Sequence, residues 1–427
     1  MRQESNGNRN RYSRRIDALR GMAVMTNAEI GAIHTVLPIF PPKPRYSAKK
    51  ILTLSIKAIR HMSDNRLKIG ITQGDTNGIG WEVILKTLAD SRIAELCTPV
   101  VYGSPDAAAY YRNRIAELEE IAFNTVVSAR EARRGRVNLV ACGAQELHIT
   151  PGEPSTAAGQ AAVDALQAAM RDLKEGALDA LVTGPIDKET VQADDFRYTG
   201  HTEYLAAELE GEPMMLMCSE LLRVGLVTTH LPLAEVSAAI SKEKIMAAVD
   251  RLNRSLVADF GVVKPRIAVL ALNPHAGDGG LLGREEEETI RPAVNDCYGK
   301  GILAFGPFAA DGFFASGNYA HYDGVLAMYH DQGLAPFKTL TPDGVNYTAG
   351  LGKVRTSPDH GVAYDIAGQD KADPQSMRNA IYMALDIVEN RRRWAAMSAN
   401  PLQHFERDRG RDTSAKDLPE VREGRHD

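Results

Sequence analysis

Three histidines share one sequence setting, each following an apolar run and preceding a loop. They are His230 in VTTHLPL, His275 in ALNPHAG and His330 in AMYHDQG. Neutral imidazole is a common ligand for divalent transition metals, and three protein ligands with one open position are typical of a catalytic metal site. Their separations match no local metal motif, and one such histidine alone is more often a satisfied polar residue at a strand end. The repeated setting nevertheless favours a joint three-histidine metal site.

A second set of residues is suited to binding an anion. Its members lie in YTGHTEY, LAPFKTL, GVNYTAG and GKVRTSPDHG, and they are His201, Thr202, Lys338, Asn346 and Arg355. Lysine and arginine supply charge-assisted hydrogen bonds to a phosphate or carboxylate, and asparagine and threonine supply directional ones. Lys338 and Arg355 follow His330 among short glycine- and proline-containing loops with few other charges, which favours a binding role over an ordinary surface position.

A glycine-rich segment, TQGDTNGIGWEV at residues 72–83, stands between a predicted strand and a predicted helix. It lacks both the GxGxxG order of the dinucleotide fingerprint and the GK[ST] ending of a P-loop. We expect a tight turn that leaves backbone amides and a helix N-terminus facing a cleft.

The elements that must position these residues alternate between strands and helices. LKIGITQGD, TPVVYGS and LDALVTGP read as strands, and so do the apolar runs before the three histidines. GWEVILKTLADSRIAEL and DALQAAMRDLKEGA have the apolar spacing of amphipathic helices. This alternation predicts an α/β fold with a largely parallel core sheet, in which ligands bind at the carboxyl ends of the strands.

Composition limits the class of protein. The chain is 44% hydrophobic and 25% charged, which is typical of a globular protein. Residues 1–61 contain 12 Lys and Arg against 3 Asp and Glu, so the rest of the chain has a net charge of −14, which disfavours nucleic-acid binding. No apolar run is long enough to predict a membrane span. The four cysteines have no CxxC spacing, and a cytoplasmic location is expected.

The composition also divides the chain into three parts. Residues 1–61 are basic and contain prolines, and we interpret them as an extension outside the fold, with an organellar transit peptide as the alternative. Residues 62–399 form the predicted two-lobed α/β body, with cofactor and substrate lobes interleaved in sequence. Residues 400–427 are predicted to be a charged, solvated tail.

Taken together, these segments resemble the 4-hydroxythreonine-4-phosphate dehydrogenase family of vitamin B6 biosynthesis. The resemblance covers roughly residues 66–392 and rests on ordered motifs: GITQGDTNGIGWE, VTGPIDK, TGHTEYLA, TTHLPL, LNPHAGDGG, AMYHDQGL, GVNYTAGL and RTSPDHGVAYDIAG. It implies a fold like that of isocitrate and isopropylmalate dehydrogenases, with two α/β domains around a cleft.

The resemblance also implies roles for individual residues. His230, His275 and His330 become ligands of one divalent metal ion per active site, contributed across the interface of a homodimer. His201, Thr202, Lys338, Asn346 and Arg355 become contacts to a small phosphorylated substrate. The loop around His360, Gly361 and Asp365 is expected to lie against the nicotinamide cofactor.

The implied reaction is NAD-dependent oxidation of 4-phosphooxy-L-threonine to 2-amino-3-oxo-4-phosphooxybutanoate, which loses carbon dioxide to leave 3-amino-2-oxopropyl phosphate. NADP is the alternative cofactor. Imidazole ligands favour zinc or cobalt over magnesium, although metal availability can override that preference. Asp187 and Lys188 in TGPIDK are the candidates for proton transfer, with a structural ion pair as the alternative interpretation.

Three positions depart from the family pattern. Asp278 stands where glutamate is usual, Trp81 replaces a common proline, and LTPDGVN is about one residue shorter than the typical stretch. A dehydrogenase of threonate or erythronate 4-phosphate is therefore a competing interpretation. From other classes, a metal-dependent hydrolase or aldolase, or a binding protein for phosphorylated metabolites, would use similar residues.

Overall fold

A computed structural model describes residues 66–401, apart from 116–117, 119–120, 144–146, 194–195 and 199. Its twelve named strands form one sheet in the order β3-β4-β2-β1-β5-β12-β11-β6-β7-β10-β8-β9. The strands are β1 Lys68–Thr72, β2 Thr98–Gly103, β3 Phe123–Val126, β4 Val137–Ala141, β5 Ala180–Thr183, β6 Gly211–Cys218, β7 Arg223–Leu226, β8 Arg266–Leu270, β9 Leu303–Phe308, β10 Gly324–Ala327, β11 Val345–Leu351 and β12 Val354–Pro358.

The sheet is mostly parallel, as the alternation of strands and helices predicts. Strands β3, β4, β2, β1, β5 and β12 are parallel to one another, and so are β7, β10, β8 and β9. Antiparallel pairs involving β11 and β6 join these two groups. The predicted α/β fold class is therefore confirmed.

Helices cover both faces of the sheet. The α-helices among the described residues are α1 Gly80–Leu88, α2 Ser91–Leu96, α3 Pro105–Arg112, α4 Thr156–Lys174, α5 His201–Glu208, α6 Leu233–Ala239, α7 Lys242–Ala258, α8 Arg291–Gly299, α9 Ala310–Ala315, α10 His330–Leu340 and α11 Gln375–Ser398. Adjacent residues of a strand enter different apolar clusters: Val269 of β8 belongs to the cluster that contains residues of α7, whereas Leu270 belongs to the cluster that contains residues of α10. Strands buried on both faces explain the continuous apolar runs in the sequence.

The helical interpretation of GWEVILKTLADSRIAEL is confirmed, and the structure divides the segment into two helices. Helix α1 ends at Leu88, and α2 begins at Ser91 after Asp90. The Asp90 side chain accepts a hydrogen bond from the Arg92 amide, so this residue caps the new helix. Apolar spacing continues across the break and concealed it.

The glycine-rich segment before α1 also differs from expectation, because residues 73–79 are all buried. Their amides donate within the protein: Asp75 to the carbonyl of Pro185, Gly78 to that of Asp75, and Ile79 to that of Val362. Trp81, the departure from the family's proline, is fully buried and donates its indole N–H to the side-chain oxygen of Gln73 at 3.0 Å. This segment is a packed scaffold, and its amides do not line an open cleft.

The predicted N-terminal extension, residues 1–61, and most of the predicted C-terminal tail lie outside the described residues. The division of the chain into these parts and a two-lobed body therefore stays a prediction. Within the part of the chain that the structure describes, no helix combines the length and apolar character needed to cross a membrane.

Candidate active site

The three histidines of interest follow three neighbouring parallel strands. Strand β10 lies between β7 and β8 in the sheet. His230 comes four residues after β7, His330 is the first residue of α10 just after β10, and His275 lies in the segment Pro274–Gly280 after β8. Parallel neighbours bring their carboxyl ends to the same edge, so all three side chains start from one edge of the sheet.

Two of the histidines meet within one chain. The ring centroids of His230 and His330 are 5.8 Å apart. Burial, together with the positive charges of Lys188 and His330, lowers the pKa of His230, and the carboxylate of Glu203 acts in the opposite direction. The neutral imidazole that a metal requires is thereby favoured at His230. The second ring is oriented by Asp331, whose carboxylate lies 2.7 Å from Nδ1 of His330.

His275 is not brought to that pair. The described residues of one chain contain no group of three His, Cys, Asp or Glu side chains that could hold a metal ion. His275 is exposed instead, and the backbone from His275 to Gly279 is left-handed throughout, with φ of 52° at His275 and 44° at Asp278. Left-handed geometry is unfavourable for residues with a Cβ and often marks a functional loop.

Hydrogen bonds to a buried carboxylate hold the base of the loop that carries His275. Glu286 is fully buried and accepts hydrogen bonds from the amides of Leu272 and Asn273, each at 2.8 Å. The side-chain amide of Asn273 donates to Glu286 as well. These bonds hold the base of the loop while His275 and Asp278 stay exposed. Asp278, the departure from the family's glutamate, therefore belongs to the outer part of the loop.

Arg355 is a buried cation. It lies on β12, is only 2% exposed, and donates hydrogen bonds to the hydroxyls of Thr183 and Thr348. No carboxylate among the described residues forms an ion pair with it. Burial lowers the pKa of Arg355 to about 9, whereas the charge of Glu203 raises it. A buried guanidinium bonded only to neutral hydroxyls is suited to an anionic ligand.

Unpartnered buried atoms lie on residues of the same set. Nε2 of His201 and Oδ1 of Asn346 are buried and have no hydrogen-bond partner among the residues that the structure describes. Burial and the nearby charge of Arg355 hold the pKa of His201 well below its ordinary range. Because buried polar atoms are normally paired, these two are free for a ligand. Thr202, next to His201 on α5, is half-buried.

The sequence around Lys338 predicted few other charges nearby, and the structure differs. Its ammonium forms an ion pair with Asp359 at 2.7 Å. Burial raises the pKa of Asp359, and the positive charges of Lys338, His360 and His330 oppose that rise. Asp359 thus links the expected phosphate, cofactor and metal residues. Only its position beside His360 in SPDHG could have signalled it.

Asp187 and Lys188 do not form the ion pair that was the alternative interpretation of their motif. The Asp187 carboxylate accepts hydrogen bonds from the amides of Glu189 and Thr190, so it shapes the turn after β5. Lys188 is exposed, and its charge acts on His230. The two neighbours therefore have different surroundings.

Glu203 is a second residue that the sequence analysis missed. It lies in the first turn of α5, and its carboxylate is 3.9 Å from Nδ1 of His230. Its charge also acts on Arg355. Glu203 thus faces both the histidine pair and the anion-binding group, and its signal was its place in HTEY, directly after Thr202.

The loop expected to contact the cofactor begins after β12. His360 points Nδ1 at the carbonyl of Gly361, 3.0 Å away, and its Nε2 is buried without a partner. Asp365 and Gly361 are exposed. This loop directly follows Asp359, the ion-pair partner of Lys338.

Comparison with solved structures shows that this mostly parallel α/β fold is the fold of a group of dehydrogenases. A solved structure of 4-hydroxythreonine-4-phosphate dehydrogenase from Klebsiella pneumoniae is similar to it, with a TM-score of 0.65 and 34% identity over 76% of this chain and 98% of that chain. A terephthalate 1,2-cis-dihydrodiol dehydrogenase from Burkholderia xenovorans matches with a TM-score of 0.51 and 26% identity, over 75% of this chain and 98% of that one.

The sequence comparisons define the family. A family model described as pyridoxal phosphate biosynthetic protein PdxA matches residues 95–384. A relative from Bacteroides thetaiotaomicron, named 4-hydroxythreonine-4-phosphate dehydrogenase, is 51% identical over 360 residues, covering 83% of this chain and 98% of its own length. The chain therefore belongs to the PdxA family, a family of dehydrogenases.

Proposed function

We propose that this protein oxidises 4-phosphooxy-L-threonine with NAD in the synthesis of pyridoxal phosphate. The product, 2-amino-3-oxo-4-phosphooxybutanoate, then loses carbon dioxide to give 3-amino-2-oxopropyl phosphate. The proposal carries over the activity that the names of its relatives give. It depends above all on one observation, the buried Arg355 guanidinium bonded to neutral hydroxyls beside free polar atoms of His201 and Asn346.

Glu203 supports a substrate that carries an amino group. Its carboxylate is half-exposed between the histidine pair and Arg355. An ammonium group would find an opposite charge there, whereas the hydroxyl of threonate or erythronate 4-phosphate would gain less from it. The position of Glu203 therefore favours 4-phosphooxy-L-threonine over threonate or erythronate 4-phosphate as the substrate.

The residues present fit a divalent metal ion. His230 and His330 lie close together with the neutral form of His230 favoured, and His275 presents an exposed ring on a fastened, left-handed loop. We infer that His275 of the partner subunit completes the set in a homodimer. Zinc and cobalt suit three imidazoles best, with magnesium as the alternative when it is abundant.

Exposed apolar side chains support such a dimer. Leu281 and Leu282 directly follow the His275 loop, and Leu231 and Leu233 directly follow His230. Leu281 is 78% exposed and Leu233 is 73% exposed. Large apolar residues clustered around two exposed loops are typical of a surface that a second copy covers.

Within the site, the chain's own residues would bind and orient the substrate, and one of them would move a proton. Arg355, Lys338, Asn346, His201 and Thr202 would hold the phosphorylated substrate and orient its secondary alcohol. Bound NAD would accept the hydride, and a bound metal ion would polarise the alcohol oxygen. Asp187 and Lys188 are the candidates for this proton transfer, and one oxygen of the Asp187 carboxylate already accepts two backbone hydrogen bonds.

The buried, unpartnered Nε2 of His360 supports a cofactor contact in the loop of residues 360–366. Gly361 and Asp365 expose the same loop to a ligand. All four cysteines, Cys97, Cys142, Cys218 and Cys297, are free thiols, which fits a cytoplasmic enzyme.

A turnover assay on a panel of phosphates tests this proposal. Purified protein with NAD should reduce the cofactor faster with 4-phosphooxy-L-threonine than with threonate or erythronate 4-phosphate. Chelation should abolish the reaction, and added zinc or cobalt should restore it. Faster turnover of a sugar-acid phosphate would contradict the substrate, and turnover unchanged by thorough chelation would contradict the metal. Phosphate release or carbon-bond cleavage without NAD would instead indicate a hydrolase or aldolase.

A further inference from the structure

The loop of residues 360–366 is attached to the body of the protein through a tyrosine that no function above has used. The hydroxyl of Tyr364 donates a hydrogen bond to Oδ2 of Asp75 at 3.0 Å. Asp75 is fully buried, and its other oxygen accepts from the amide of Asn77 at 2.8 Å. The acceptor is therefore fixed in the glycine-rich scaffold before α1.

We propose that Tyr364 is a positioning residue that holds the loop of residues 360–366 in its cofactor-binding shape before the cofactor arrives. The proposal rests on the proposed function, since it takes that loop to contact NAD. It assigns the buried scaffold of residues 73–79 the role of a support for the cofactor loop, in place of the ligand-binding role that its glycines first suggested.

The backbone beside Tyr364 needs such a restraint. Ala363 has φ of 47° and ψ of 57°, in the left-handed region that residues with a Cβ seldom adopt. An unattached loop would relax out of this conformation. A hydrogen bond from the very next side chain to a buried carboxylate opposes that relaxation.

The main chain of the loop is attached to the same scaffold. The carbonyl of Val362 accepts a hydrogen bond from the amide of Ile79 at 2.9 Å. A Cβ added at Gly78 would lie 2.7 Å from that carbonyl oxygen, so glycine is needed for the close approach. The backbone bond fixes Val362, and the Tyr364 bond fixes the other side of Ala363.

The chemistry of the two groups suits a lasting bond. Burial and the neighbouring carboxylates of Asp75 and Asp187 raise the pKa of Tyr364, so its phenol stays protonated and can donate at neutral pH. The bond is charge-assisted when Asp75 is ionised, and such bonds are stronger than neutral ones.

Thr190 provides a matched control. Its hydroxyl donates to the same Oδ2 of Asp75 at 3.4 Å, but Thr190 belongs to the turn after β5. Removing the Thr190 hydroxyl therefore deletes a long bond to the same carboxylate, together with its contact to Tyr364. The 3.0 Å bond from Tyr364 to Asp75 and the backbone bond from Ile79 to Val362 still attach the 360–366 loop.

The test compares Tyr364→Phe with Thr190→Val in the full-length protein with its metal. NAD binding is measured by calorimetry, and hydrogen exchange is measured at the amides of Ile366 and Ala367, which bond within the loop. Tyr364→Phe should weaken NAD binding roughly tenfold and speed this exchange without cofactor. Thr190→Val should leave both within about twofold of the unmodified protein.

Two results would overturn the positioning role: wild-type exchange in Tyr364→Phe, or an equal effect of both variants on NAD binding. If the unmodified protein binds no NAD, the proposed function fails. Exchange in the loop still decides whether Tyr364 holds its conformation. A thermal midpoint for Tyr364→Phe close to that of Thr190→Val would place the difference in the loop and not in global stability.

Discussion

Two glycine-containing loops of this protein have opposite structural roles. Residues 73–79 and residues 274–280 both follow a strand, and both contain glycine and aspartate. The first loop is entirely buried and its amides bond within the protein. The second exposes His275 and Asp278 on a left-handed backbone fastened from below by Glu286. Burial and the destination of hydrogen bonds distinguish the packed scaffold from the exposed loop, and glycine content does not.

Glycine itself is needed for different reasons in the two loops. A Cβ at Gly74 would collide with the carbonyl oxygen of Pro185, so that position demands close packing as well as φ of 68°. Gly279 has a similar φ of 64° but no atom within 4 Å of an added Cβ. The first glycine allows two segments to touch, whereas the second only allows the chain to turn.

The largest expected effect comes from the exposed loop. His275→Ala should lower turnover roughly 10³-fold, since losing a metal ligand removes several kcal/mol of transition-state stabilisation. The free energy of unfolding should change by no more than about 0.5 kcal/mol, because the ring is exposed. Steady-state kinetics and urea denaturation measure the two quantities. A fully active variant would show that His275 is not a ligand.

Mixing variants tests where the third histidine comes from. Neither His230→Ala nor His275→Ala should be active alone. If one subunit supplies His230 and the other His275, a mixed dimer retains one intact site, and random mixing should recover about a quarter of normal activity. No recovery after demonstrated subunit exchange would place all three ligands in one chain.

The next largest effect should come from the scaffold loop. Gly74→Ala should lower the free energy of unfolding by about 3 kcal/mol, through the left-handed backbone and the collision with Pro185. Gly279→Ala should lower it by only about 1 kcal/mol, through the backbone alone. Urea denaturation of both variants measures the contrast. Equal losses would mean that packing does not distinguish the two loops.

The smallest expected effect concerns His201, whose buried Nε2 has no hydrogen-bond partner among the described residues. The pKa of His201 is held well below its ordinary value, so the unfolded chain binds a proton there more readily than the folded one. Stability from this histidine is present above the unfolded pKa and is lost as pH falls below it. His201→Asn should therefore reduce the loss of unfolding free energy between about pH 7.5 and about pH 5.5 by about 1 kcal/mol. Denaturation of both proteins at the two pH values measures it, and an unchanged loss would mean that His201 takes up its proton in the folded state.

Much of the positioning could be predicted from local pattern. The apolar runs before His230, His275 and His330 required strands, and the alternation with helices required a mostly parallel sheet. The break between α1 and α2 was not predicted, because the apolar spacing continues on both sides of Asp90 and the break depends on the capping hydrogen bond of that one side chain. Asp359 escaped because its partner Lys338 lies 21 residues away and only the fold brings them together.

The sequence by itself determined the class of fold and the ordered motifs of the family, and it supplied the residues that are proposed to bind metal, anion and cofactor. These follow from side-chain chemistry and from periodicities that operate over a few residues. Tertiary structure alone decided that His230 meets His330 without His275, that Arg355 is buried beside Glu203, and that the loop of residues 73–79 is packed away. The physical reason is that burial, ion pairing and hydrogen-bond satisfaction depend on which distant segments come together, and adjacent residues do not encode that.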